Sequence, residues 1–330
     1  MRSKNNISFF HYNGHMKKDT LFTSRHFTTF EEMESSALNW HYRKTYKMLP
    51  DAYIGTHTII SLPHMQLSYT QKRGGLFQEV IAPKGMFSVG VVKRSDGKAC
   101  FGKTKLKERM IVFFDDKKAQ TIINSDTFEA AVFSFSKQHF KALSKRLSPH
   151  IGEVIEDDND LLKQRLEEVL KGFEADASLP NEHMEEMEQA IIKDLEVLLE
   201  TQTPYLPKLT KGERIALKIL DRVYRRINSK MTIASLAEEF GVTEQTLQNA
   251  FKSLFGFTPN FFIRQLKLNH VCQALQKADP KTDTIIRISK KWGFTHMGHF
   301  SRYFTELFGE NPSLTLGKGC SLPKEADRTA

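Results

Sequence analysis

Between Tyr53 and Ser136 the apolar residues come in short runs: YIGTHTIISL, MQLSYTQ, LFQEVIA, FSVGVVK, ACFGKTK, MIVFFDD, AQTIINS and AAVFSFS. They are rich in Val, Ile, Phe, Tyr and Thr, and Gly74-Gly75, Pro83-Lys84-Gly85, Asp96-Gly97 and Asn124-Ser125-Asp126 separate them. This spacing predicts about eight short strands in a sandwich or small barrel over residues 50–136, a form that can hold one small ligand inside. From Lys137 to about residue 200 the period lengthens to that of a helix. Leu161, Leu162, Leu166, Val169 and Leu170 share one face, and Met184, Met187, Ile191, Leu195 and Leu198 step by 3, 4, 4 and 3. Such a stripe packs on its own domain or forms the seam of a homodimer. Upstream, Thr29 and Glu32 in TTFEEMESSALNW have the spacing of a capped short helix, and residues 1–20 read as a mobile polar arm.

TQTPYLPKLTK, with two prolines, reads as a linker and places a domain boundary near residue 210. Everything beyond it is helical in period, so the chain as a whole reads as α+β: residues 1–210, then an all-α domain over 211–318, then a tail over 319–330. GERIALKILDRVYRRIN is basic and amphipathic. Thr232 then caps IASLAEEF, Gly241 makes a turn, and Thr243 caps a second helix. That helix carries Leu247, Phe251, Leu254 and Phe255 on one face, and Glu244, Gln245, Gln248, Asn249 and Lys252 on the other. Gly256 stops it, and Pro259 opens the long helix PNFFIRQLKLNHVCQALQK.

The arrangement then recurs. IASLAEEFGV from Ile233 aligns with IRISKKWGF from Ile286, TEQTLQNAF from Thr243 with THMGHFSRYF from Thr295, and FGFTP from Phe255 with FGENP from Phe308. Each copy is a helix, a glycine turn and a second helix, the pattern of a helix-turn-helix whose second helix enters a DNA major groove. Two copies joined by one long helix suit successive grooves on one DNA face.

Charge strengthens this reading. The chain carries +9 overall, and residues 211–318 hold 17 Lys/Arg against 9 Asp/Glu, so nearly all the excess lies there. A basic domain beside a near-neutral one points to a polyanionic partner. Cys100, Cys272 and Cys320 are sparse and form no CxxC, which argues against a disulfide framework or zinc ribbon and fits a reducing, cytoplasmic setting. No run approaches the ~20 apolar residues of a membrane span, and the N-terminus lacks the apolar core of a secretory signal.

Residues 211–318 resemble the DNA-binding domain of the AraC/XylS family of bacterial transcription regulators. TLQNAF, LNHVCQAL, WGFTHMGHF and PSLTL are most similar to the ethanolamine operon regulator branch, and residues 62–92 resemble it weakly. The resemblance implies a cupin-like N-terminal barrel for effector sensing or dimerisation. It also implies activation of transcription, with double-stranded promoter DNA and RNA polymerase as partners, and ethanolamine with adenosylcobalamin as effector candidates. Carried over by position, Gln245, Gln248 and Asn249 would face bases from the first unit, and Met297, Ser301 and Arg302 from the second. Arg302 suits either guanine or phosphate, and Lys252, Lys290, Lys291 and Arg264 suit phosphates or solvent.

Other chemistry is thin. The sequence holds no GxSxG, P-loop or GxGxxG, and no cysteine lies in the motif of the DNA-repair methyltransferases that share this domain. His296 and His299 read as ordinary helix residues, and His57 and His64, split by Leu62-Pro63, do not form a metal cluster. The strand aromatics, Tyr69, Phe77, Phe87 and Phe113 foremost, either line a ligand pocket or fill the barrel. The competing classes are a barrel enzyme with a basic docking domain and an interaction protein that ignores DNA.

Overall fold

The strand runs build two antiparallel sheets laid face to face. The computed structural model describes residues 22–37, 40–50, 53–124, 126–175, 180–206, 208–227 and 231–318; the N-terminal arm and the tail, with Cys320, lie outside them. Among the described residues the strands are β1 (Phe22–Phe27), β2 (His41–Lys47), β3 (Ile54–Ser61), β4 (Met65–Arg73), β5 (Leu76–Ile81), β6 (Met86–Ser95), β7 (Cys100–Phe101), β8 (Thr104–Lys105), β9 (Met110–Asp115), β10 (Gln120–Ile123), β11 (Thr127–Ser136) and β12 (Val154–Glu156). The larger sheet has the order β1-β3-β4-β11-β6-β9-β12 and the smaller β2-β5-β10-β7-β8. All eight runs fall in strands, and the fold is α+β as read. The strand region nevertheless starts at Phe22 rather than near residue 50. The added strands β1, β2 and β12 are all sheet edges, where charged and polar side chains such as those of HYRKTYK discourage pairing with another chain and hide the strand signal.

Helices cover the outer face of each sheet. On the larger sheet lie α2 (Lys141–Leu147), α3 (Leu161–Ala175) and α4 (Asn181–Thr201), while α1 (Phe30–Ser36), capped by Thr29, bridges toward the smaller one. Tyr69, Phe87, Phe113, Phe133 and Phe135 share one core with Leu162, Leu166, Phe173, Met184, Ile191, Leu195 and Leu198. The stripe on α4 is therefore consumed within the chain, and the seam reading of that face is overturned: burying these side chains against the sheet removes the apolar area that a homodimer seam needs.

The remaining helices are α5 (Lys211–Arg226), α6 (Ile233–Glu239), α7 (Glu244–Phe255), α8 (Pro259–Gln276), α9 (Ile285–Lys291), α10 (Met297–Phe308) and α11 (Pro312–Thr315). A capping box of Thr210 and Glu213 starts α5. Tyr46, Phe77, Cys100 and Ile123, on the outer face of the smaller sheet, join Leu220, Leu254, Phe255 and Phe262 in a second core. Polar pins fix the angle. The Lys47 N–H donates to Asn269 Oδ1 at 2.8 Å, and Asn269 Nδ2 returns a bond to the Lys47 carbonyl at 2.8 Å. The Tyr224 hydroxyl donates to Glu79, which also holds Arg43 at 3.3 Å. Asn269→Ala removes both bonds to β2 at about 1 kcal/mol each; the expected result is a lower denaturation midpoint with unchanged far-ultraviolet dichroism.

His270 is a second junction. Its ring stacks on Trp292 at 4.4 Å and 7°, and Tyr46 Oη lies 3.3 Å from Nε2. Burial, helped by the charge of Lys44, pushes the imidazole down to about 4. A depressed folded value means that stability is fully present above the unfolded value near 6.5 and is lost as pH falls toward 4. His270→Gln should therefore shed one proton from the uptake on unfolding in that window. The check is the pH dependence of stability of the two proteins, which should run parallel above pH 6.5 and converge below it.

Candidate nucleic-acid interface and the cavity between the sheets

Each unit of the repeat is built by the same local rules. Thr232 and Thr284 cap α6 and α9, and Thr243 caps α7 by accepting from the Thr246 N–H. Gly241 and Gly293 make the turns with φ of 62° and 90°, and Gly256 and Gly309 end the second helices at 77° and 75°, all in the left-handed region where a Cβ is costly. Leu247, Ala250, Phe251, Leu254 and Phe255 of α7 are buried, and so are Phe300, Phe304 and Leu307 of α10. The opposite faces point out to solvent.

On α7, Gln245, Asn249 and Lys252 are exposed and Gln248 is half-buried. Spaced i, i+3, i+4 and i+7, they form one polar stripe. Gln245 Nε2 donates to Asn249 Oδ1 at 2.9 Å, so the two carboxamides hold each other in place. These are the groups that bond bidentately to adenine or accept from cytosine in a major groove.

The second unit differs by one residue. Gly241 and Gly293 stand 52 apart, whereas Gly256 and Gly309, Phe251 and Phe304, and Leu247 and Phe300 stand 53 apart. The extra residue lies in the turn, α10 begins at Met297, and its N-cap is His296, whose side chain makes no capping bond. Thr295 is therefore not the cap that its alignment with Thr243 suggests. Gly298 takes the place of Gln245, Ser301 that of Gln248 and Arg302 that of Asn249. Met297, in the place of Glu244, is half-buried: it packs partly on the core of its own unit, sits 3.3 Å from Ser289 Oγ and also lines the surface hollow beside Gly298. Ser301 and Arg302 are exposed, with Arg302 Nε 3.7 Å from Glu306. His296, Gly298, His299 and Arg302 edge a shallow hollow beside Met297, where Gly298 leaves no side chain. Lys290 and Lys291 are exposed. Arg264 is half-buried, with its guanidinium 4.2 Å from the Tyr303 ring, a contact that ties α8 to α10.

Between the sheets lies a cavity of about 110 Å³. None of the four aromatics named from the sequence lines it. Tyr69, Phe87 and Phe113 point to α3 and α4, and Phe77 points to α5 and α8. The cavity takes the alternate positions, among them Ser68, Lys72, Gln78, Val112 and Phe114, joined by Tyr42, His57, Asn124 and Phe128. Side chains alternate along a strand, so an error of one residue exchanges the faces.

His57 Nδ1 lies 2.7 Å from Ser36 Oγ, and that hydroxyl donates to the Met33 carbonyl at 2.7 Å. The serine hydrogen is thus committed, so Nδ1 carries the proton and Nε2 is an acceptor. Burial, with the charges of Lys72 and Arg25, lowers His57 to about 4. Burial alone lowers Lys72 to about 7, and its Nζ lies 5.6 Å from the Phe128 ring and 5.7 Å from that of Tyr53. Burial raises the Glu34 carboxyl to about 7. This volume does not take adenosylcobalamin, and a neighbouring lysine disfavours the ammonium of ethanolamine, so neither effector suits this cavity. Among the described residues no three His, Cys, Asp or Glu side chains are placed to hold a metal, and no helix is long and apolar enough to cross a membrane.

Residues 236–317 match a family model described as a helix-turn-helix domain. The chain is similar to the probable thc operon regulatory protein of Rhodococcus erythropolis, 33% identical over 100 residues and 29% of each chain. It is also similar to the XylDLEGF operon transcriptional activator of Pseudomonas putida, 28% identical over 107 residues, 32% of this chain and 33% of that one. The chain thus spans about a third of the length of these curated relatives. Among solved structures, the AraC-like transcriptional activator CuxR overlaps 74% of this chain and 94% of its own at 11% identity, with a TM-score of 0.42. The class defined by the repeat is the helix-turn-helix domain. The C-terminal helices are similar within it to those of the two operon regulators.

Proposed function

We propose that this protein is a sequence-specific DNA-binding transcription regulator, an activator, with two functional parts meeting near residue 210. The observation that carries the reading is the duplicated unit: two helix-turn-helices whose polar stripes face solvent while α5 and the inner faces of α7 and α8 pack on the strand region. The joining helix α8 has 18 residues, roughly 27 Å, which suits recognition helices placed in neighbouring major grooves about 34 Å apart. The charge of the last third supplies the sequence-independent share of affinity. On this reading the strand region senses a small effector in its cavity and biases how the units meet DNA, which requires that the effector bind one arrangement more tightly than the other. The protein then acts with RNA polymerase at promoters in the cytoplasm, as a regulator rather than an enzyme, and any homodimer uses a surface other than the α4 stripe.

Footprinting and gel shift on the DNA upstream of its own gene and its neighbours test the reading. The expected result is a protected site spanning two successive major grooves. Binding that competitor DNA abolishes equally at physiological salt would sink it in favour of a DNA-independent role.

A further inference from the structure

We propose that the cavity between the sheets binds a small, largely apolar molecule carrying one carboxylate, which pairs with Lys72, and one hydroxyl or N–H, which donates to Asn124. The inference deepens the effector-sensing reading above and rests on it. Three observations carry it. The Lys72 ammonium lies against the Tyr53 and Phe128 rings, and among the described residues no carboxylate lies within 4 Å of it. Lys72 is half-buried, with its ammonium facing an apolar cavity; a partly desolvated ammonium without an anion is costly, and a monoanion entering the cavity would relieve that cost. Asn124, 1% exposed, spends its Nδ2 on Gln78 at 3.0 Å while its buried Oδ1 has no partner. Buried acceptors are nearly always paired, so an open one in a cavity marks a place for a donor. The other walls, including Val112, Phe114 and Phe101, are apolar. One cation matches one carboxylate, and it leaves the second charge of a phosphate monoester uncompensated in an apolar surround. The depressed basicity of Lys72 agrees with an ammonium now lacking its counterion.

Calorimetric titration of the full chain with phenylacetate, mandelate and phenylacetamide tests this. Phenylacetate should bind, and mandelate, which adds a hydroxyl, should bind more tightly. The neutral amide should bind about ten- to a hundredfold more weakly than the acid, since a charged hydrogen bond is lost. Lys72→Met, which keeps the apolar stem, should lose the preference for acid over amide, and Lys72→Arg should retain part of it. The comparison of acid with amide needs no variant, so it stands even where Lys72→Met folds poorly. Equal affinity for acid and amide, unchanged acid binding by folded Lys72→Met, or no binding of either acid at millimolar concentration would overturn the proposal. Gel shift without added acid reads the regulator assignment separately, so either idea can fail alone.

Discussion

Phe262→Ala is expected to cost the protein about 3–5 kcal/mol. Phe262 is fully buried at the start of α8. Its ring lies 5.7 Å from Phe77 of the smaller sheet and 6.1 and 6.4 Å from Phe251 and Phe255 of α7. One side chain therefore fills the space between the strand region and the first helix-turn-helix unit. Truncation leaves a hole that three rigid elements border, so little collapse can soften the loss. Phe262→Leu, which keeps most of the volume, should cost less than about 1.5 kcal/mol. Urea denaturation of the three proteins is the measurement. A loss below about 1 kcal/mol for the alanine variant would show that the two parts do not share a core.

The second large effect is on DNA. Gln248→Ala and Asn249→Ala should each weaken binding to the specific site by about 1–3 kcal/mol, so the double variant loses roughly one and a half to four decades if the effects add. Asn249→Ala also releases Gln245 from its 2.9 Å bond, so the pair Gln245 and Asn249 should deviate from additivity. Neither change removes a positive charge, so the slope of affinity against salt should stay as it was, whereas Lys252→Ala should reduce it by about 1 if Lys252 meets phosphate. Arg302→Ala separates the two roles open to that residue: lost discrimination at one base pair means guanine, and a uniform loss with a smaller salt slope means phosphate. Equal affinity of the double variant and the unaltered protein for the specific site would remove α7 from base reading.

The helical third was the more legible part of the chain. There the signals are local: a threonine cap, a left-handed glycine, a helical stripe, and then the same set again. The single extra residue between Gly293 and Phe300 was harder to place, because no residue in that turn announces which position is added. Met297 shows the consequence: it divides its side chain between the core of its unit and the surface hollow beside Gly298. In the strand region the eight runs were plain, but the choice of face was not. Strands such as β6 and β9 are buried on both sides, so hydrophobicity carries no phase, and the bulky aromatics Tyr69, Phe87 and Phe113 lie on the helix-covered face. The cavity was marked by the opposite property. Ser68, Thr70, Lys72 and Gln78 are small or polar residues at alternate positions within apolar runs, and polar groups on an interior face leave room and bonding capacity for something else. The edges escaped for a simpler reason: strands built to repel partners do not look like strands.

The smaller sheet is one residue thick in a literal sense. Along β5, Gln78 faces the cavity and its neighbour Phe77 the DNA-binding helices; along β10 the pair is Ile122 and Ile123, and along β7 it is Phe101 and Cys100. The Cys100 thiol itself donates to the Leu254 carbonyl at 3.3 Å, near the end of α7. On the proposed reading the partition is a diaphragm: a backbone shift of a few tenths of an ångström that seats a guest on one side passes, across one peptide unit, to a side chain seated against the other. With a close-packed core on the far face there is little slack to absorb such a shift, so the effector sensing proposed above needs no hinge, lid or long relay to reach the helices.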